Sequence, residues 1–141
     1  MIVQTSCTVF GVNLLSGLEN FTSSSPYVYK IALYNANANL DNSTLTYTTV
    51  NEITGTGYTA GGAVLTPASL SYDNTNNTAF VSFENVTWDP ASFTTRGALI
   101  YNSTTNAAIF VLNFGSDKTP NSTFTVTFPT ADSTNAIIRI T

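Results

Sequence analysis

The sequence predicts an all-β protein: a single antiparallel β-sandwich of seven or eight strands, Ig-like or jelly-roll-like, entered through a short N-terminal helix. Three observations predict it. Thr, Ser and Asn supply 55 of the 141 residues; Thr favours strands, Ser and Asn favour turns. The apolar fraction is 43% and the aromatic fraction 12%, which is enough for a core and too much for a disordered chain. Strand-like segments follow one another at short spacing with no helical segment between them. The length of 141 residues is that of one domain. The predicted division is a helical lead at 1–22 and strands at 27–141, with no boundary, repeat or linker.

The lead is TSCTVFGVNLLSGLENF, residues 5–21. Cys7, Phe10, Leu14 and Leu18 recur at steps of three and four, and Leu15 widens the stripe. Thr5 or Ser6 is the expected cap, and Gly17 or Asn20 the expected stop. Gly11 and the β-branched residues keep the helix short. SSSP at 23–26 is a loop.

Strands are then predicted at 27–35, with Tyr29, Ile31 and Leu33 on one face, and at 45–53. The next, 63–73, carries Leu70 and Tyr72, and Pro67 marks a bulge or an edge. In 78–88, Ala79, Val81 and Phe83 alternate before the phase shifts at Val86 and Trp88. Segments 95–103 and 107–115 form a hairpin about TTN. AAIFVLNF has the composition of a central strand buried on both faces. In 122–129, Phe124, Val126 and Phe128 point inward and three threonines outward. A last strand covers 135–141. The predicted core includes Ile109, Val111, Phe124, Val126 and Phe128.

Charge excludes several functions. Four Lys and Arg against eight Asp and Glu give a net charge of −4, and only 9% of residues are charged, against about 25% in ordinary domains. Lys30, Arg96, Lys118 and Arg139 are scattered and form no nucleic-acid stripe. Histidine is absent, and with it the commonest general base and transition-metal ligand. The lone Cys7 precludes an internal disulfide or a thiolate zinc cluster, and reads as core. No apolar run spans a bilayer. MIVQTSCTVF lacks the basic start and long apolar stretch of a signal peptide, so the chain is expected to be made and used without export.

The most suggestive motif is GTGYTAGG, residues 55–62. A phosphate loop needs a following helix whose N-terminus meets the anion. Here a strand-like segment follows, without a Lys-Ser/Thr pair or GxGxxG spacing. The reading is a shaped connection in which Gly55, Gly57, Gly61 and Gly62 supply positive φ. Tyr58, Gly61 and Gly62 are the candidate interface residues, with Tyr58 as the contact side chain. Asp73, Asp89, Asp117 and Asp132 all stand in turn contexts, where aspartate bonds its own backbone. DNTNNT, 73–78, lacks the acidic positions of a calcium loop, and Glu84 with Asp89 has no spacing that marks a glycosidase pair. The sequons at Asn20, Asn42, Asn76, Asn85, Asn102 and Asn121 follow from the abundance of Asn and Thr. No catalytic residue, cofactor or metal is expected.

Three long stretches carry a resemblance. They are YKIALYNANANLDNSTLTYTTVNEITGTGYTAGGAVLT, VSFENVTWDPASFTTRGALIYNS and AIFVLNFGSDKTPNSTFTVTFPTADSTNAIIRIT. They resemble small structural proteins of tailed bacteriophages, frequent in phages of cyanobacteria and marine bacteria. NEITGTGYTAGG, RGALIYN, FGSDKT and STNAIIRIT are the most specific pieces, and the resemblance extends to the lead. It implies a virion part, assembled in the host cytoplasm, without an enzymatic role. The first expectation is a capsid decoration (cement) protein that bridges capsid subunits, with the major capsid protein or other virion proteins as partners, homo-oligomeric or in many copies, and with no nucleic-acid or membrane partner. The alternatives are a tail, collar or fibre-attachment component, or a carbohydrate-binding module using Tyr27, Tyr58 or Trp88.

Overall fold

In the computed structural model, which describes Met1–Thr141, the helical lead is shorter than its periodicity predicts. Thr5–Ser6 form β1 instead of a cap, and helix α1 covers only Thr8–Leu15. Cys7 stands at the N-cap position, with no side-chain cap bond. Gly17, at φ +78°, ends the turn in the left-handed conformation typical just past a helix. Phe10 is buried, whereas Leu15 is 91% exposed. An eight-residue helix lying on one sheet covers a narrow stripe, and Leu15 falls outside it.

Nine further strands follow: β2 (Tyr29–Tyr34), β3 (Ala63–Leu65), β4 (Pro67–Asp73), β5 (Thr78–Phe83), β6 (Val86–Trp88), β7 (Thr95–Asn102), β8 (Ala107–Lys118), β9 (Phe124–Val126) and β10 (Ile138–Ile140). All strand pairings are antiparallel. The strands form three sheets, ordered β1-β8-β7-β2-β3, β10-β5-β4 and β6-β9. The phase shift at Val86 marks the passage from β5 to a different sheet. Pro67 opens β4 directly after β3, where the chain leaves the edge of the large sheet for the edge of the three-stranded one. A residue without a backbone N–H is tolerated at such an edge. The predicted strand at 45–53 does not form: only Thr46 and Glu52 make isolated bridges. Its threonines suit a strand, but Thr46 meets Ala107 of β8 whereas Glu52 meets Tyr34 of β2, so the segment crosses from one strand to the other instead of running along either.

All three sheets contribute to one cluster of 19 buried side chains, which includes Ile31, Leu33, Phe83, Trp88, Ile100, Val126 and Phe128. A second cluster of ten, among them Ala32, Tyr34, Leu99 and Val111, lies on the other face of the large sheet. β2, β7 and β8 are therefore buried on both faces, as their near-continuous apolar sequences require. Ile109 and Val111 are both buried, but on opposite faces. The register passes from Ile100↔Phe110 to Tyr101↔Ala108 and leaves Ile109 unpaired. This bulge turns Ile109 and Phe110 together toward the larger cluster. Phe124 is only half-buried, because β9 is an edge strand. Its ring nevertheless packs on Trp88, Phe93 and Phe114. Leu70 and Tyr72 are 52% and 69% exposed.

Candidate functional site

The glycine-rich loop lies against the open edge of β2. β3 pairs with Tyr29–Ile31 of that edge. Further along, Ile53 donates its N–H to the Leu33 carbonyl at 3.0 Å, and Asn35 donates to Asn51 at 3.0 Å. Between these two partners the Leu33 N–H has no strand to meet. The Tyr58 hydroxyl accepts it at 2.9 Å. A buried amide is thus satisfied by a side chain delivered from the loop, as the cost of an unpaired backbone donor demands.

Tyr58 in turn donates to Glu52 Oε1 at 2.6 Å. The Gly61 N–H donates to the same oxygen at 2.7 Å. Tyr47 donates to Oε2 at 2.6 Å. Tyr101 donates to the Gly61 carbonyl at 2.6 Å and stacks on Tyr47 with centroids 4.7 Å apart. Tyr34 donates to the Thr48 carbonyl at 2.6 Å. Glu52 therefore ties the loop to both hydrophobic clusters. The phenols remain protonated donors. Burial, then the nearby Glu52 carboxylate, pushes Tyr101 up to about 12; burial, then the bond to Glu52, raises Tyr58 and Tyr47 further.

Three of the loop glycines are required by contact: a Cβ at Gly55, φ +148°, would come within 2.6 Å of the Ser92 carbonyl oxygen. Gly57 and Gly62 have φ of +88° and +82°. A Cβ at Gly62 would fall on the Ile31 carbonyl oxygen, and one at Gly57 on that of Pro90. Gly61 has φ +93° but faces only the Tyr101 hydroxyl, at ordinary contact distance.

The loop continues into strand β3, so no helix N-terminus faces it. The Gly61 N–H, which a phosphate would seek, is already taken by Glu52. Tyr58 does not project outward. Its ring lies between Trp88 and Phe93, with centroids at 6.4 and 6.1 Å. The outward surface of the loop is Thr56, Thr59 and Ala60. Trp88 is 6% exposed and offers no face for a sugar to stack on.

The other candidate residues stay apart. Asp73 accepts from the N–H groups of Thr75 and Asn76 and from the side chains of Asn76 and Ser133. Asp132 accepts from Thr134 and Asn135. Asp117 is in β8 and not in a turn, and pairs with Arg96 at 2.8 Å. No three Cys, Asp or Glu side chains converge. Cys7 is buried, which pushes its thiol up to about 11 with help from Asp41. Sequence reasoning passed over Glu52 and the tyrosines Tyr34, Tyr47 and Tyr101. The signal was NEI immediately before a glycine-rich loop in a chain with only two other glutamates. No family model, curated protein or solved structure matches this chain.

Proposed function

We propose that the chain is a structural part of a bacteriophage particle, first of all a decoration protein bound outside the capsid shell. The observation that carries the reading is its charge-poor, pre-shaped surface. The molecule has a single ion pair, Arg96–Asp117. Its turns are closed by short side chains, as at Asn20, Asn35, Asp41, Asp73 and Asp132. Such a surface meets a neighbour while desolvating few charges and ordering few long side chains. The resemblance of NEITGTGYTAGG and RGALIYN to phage structural proteins points the same way. In this reading the two smaller sheets form the second layer of a single sandwich, and the rigid loop presents Thr56, Thr59 and Ala60 to the neighbour.

The test is copy number in purified particles by quantitative mass spectrometry. Hundreds of copies support decoration of the shell; six or twelve place the protein in the tail, collar or fibre attachment instead. Absence from the particle refutes both. Binding on a glycan array would favour the carbohydrate-binding alternative, for which half-buried Tyr27 is the remaining aromatic.

A further inference from the structure

Glu19 is the one carboxyl side chain of this protein that is buried, at 7% exposure. It follows Gly17 at the end of the helical lead and faces β2 and β7. Its Oε2 accepts from the Tyr29 hydroxyl at 2.8 Å and from the Asn102 amide at 3.2 Å. Its Oε1 is buried with no hydrogen-bond partner. No cation compensates it, since the chain's ion pair is elsewhere. From β2 it faces the Tyr29 phenol, which Tyr27 just before the strand adjoins; from β7 it faces only the neutral amide of Asn102.

The hydrogen bonds close more completely around a neutral carboxyl than around an ionised one. The Tyr29 oxygen already accepts the Asn20 N–H at 2.9 Å, and the Asn20 carbonyl lies 3.1 Å away. If Glu19 carries a proton on Oε2, it donates to Tyr29, and Tyr29 donates on to the Asn20 carbonyl. If Glu19 is ionised, the single Tyr29 proton goes to Oε2, the Asn20 carbonyl loses that donor, and Oε1, which has no partner in either form, shares an uncompensated charge. A half-satisfied buried charge is costly. The turn ends on a core anchor, Phe21, which is buried against Phe10, Tyr29 and Phe83; before it, Leu18 is half exposed, and Glu19 with Asn20 supplies the bonds to Tyr29.

We propose that Glu19 is a proton-operated latch: neutral, it docks the turn Leu18–Asn20 onto β2; ionised, it lets that turn open about the buried Phe21. Burial raises the Glu19 carboxyl in the closed form, outweighing the bonds from Tyr29 and Asn102. The open form has the ordinary value. Opening therefore releases a proton between the two values. The opening constant is low and flat below the ordinary carboxylate range, climbs up to tenfold per pH unit through the window, and levels off above the raised value. Tyr29 is pushed up by burial, out of that window.

The experiment is amide exchange of Asn20, Phe21 and Thr22 from pH 4 to 8, corrected for intrinsic rates, in the wild type and in Glu19→Gln. The wild type is expected to show the rise and plateau. The glutamine variant, neutral at every pH, is expected to be flat at the slow limit. A wild type that is flat or falls with pH overturns the latch, as does a glutamine variant with the same rise. A carbon-13 titration of the Glu19 carboxyl in the wild type decides the matter even if the variant fails to fold: a value at or below the ordinary range overturns the proposal.

Discussion

Replacing Gly62 by Ala separates backbone shape from ligand binding as the reason for the glycine-rich loop. Two effects add at this position. An L-residue held at φ +82° costs about 1–2 kcal/mol. The new methyl also meets the Ile31 carbonyl, with the Ala32 Cα just behind it. Ile31 cannot retreat, because it is paired to Ile100 on one side and Ala63 on the other. Forcing such a group aside costs about 1–3 kcal/mol more. Gly61→Ala is the internal control. Its φ is similarly positive, but its Cβ meets only the Tyr101 hydroxyl, so about 1–2 kcal/mol is expected. Urea unfolding followed by Trp88 fluorescence gives both values from the shift in midpoint at constant slope. The reasoning is refuted if the two variants share one midpoint, or if Gly62→Ala matches the wild type.

Tyr58→Phe keeps the ring between Trp88 and Phe93 but leaves the Leu33 N–H without its acceptor; about 1–3 kcal/mol should be lost in the same urea assay. Phe128→Ala, in the larger cluster, should cost about 3–5 kcal/mol, and Phe124→Ala visibly less, since that ring is half-buried; calorimetry on the pair tests the order. Bonds from the distant Ser133 hydroxyl and from Asn76 in its own turn hold the Asp73 carboxyl below its usual range. Its contribution is therefore present above the ordinary carboxylate value and lost as pH falls through the lower one, and Asp73→Asn should flatten the acid end of a melting-temperature profile. Phosphate or nucleotide should leave the wild-type melting temperature unchanged; a rise would show an anion site in the loop.

The strand class was legible because AAIFVLNF and YVYKIALYN advertise burial on two faces, and TTN advertises the turn between their neighbours. The phase shift at Val86 marked a real change of sheet. Other features depend on distant parts of the chain. Residues 45–53 have strand composition, yet they cross from β8 at Thr46 to β2 at Glu52, a path set by strands elsewhere in the chain. The bulge at Ile109 is a matter of register and cannot be read from one strand alone. Leu15 fits the helical period but lies past the width of the stripe the sheet covers. At the loop, the glycines announced an unusual backbone. The inward turn of Tyr58 did not show, because its cause is an unpaired N–H on Leu33, 25 residues earlier.

The single exposed ion pair has a consequence for the medium in which this protein works. Dissolved salt weakens contacts between exposed charges beyond a screening length of about 8–10 Å. With only 9% of its residues charged, the surface gives salt less to screen than that of an ordinary domain, so its contacts should change less between fresh water and brine. Solutes that act through hydration should matter more: excluded osmolytes such as sucrose should tighten association, and urea should loosen it.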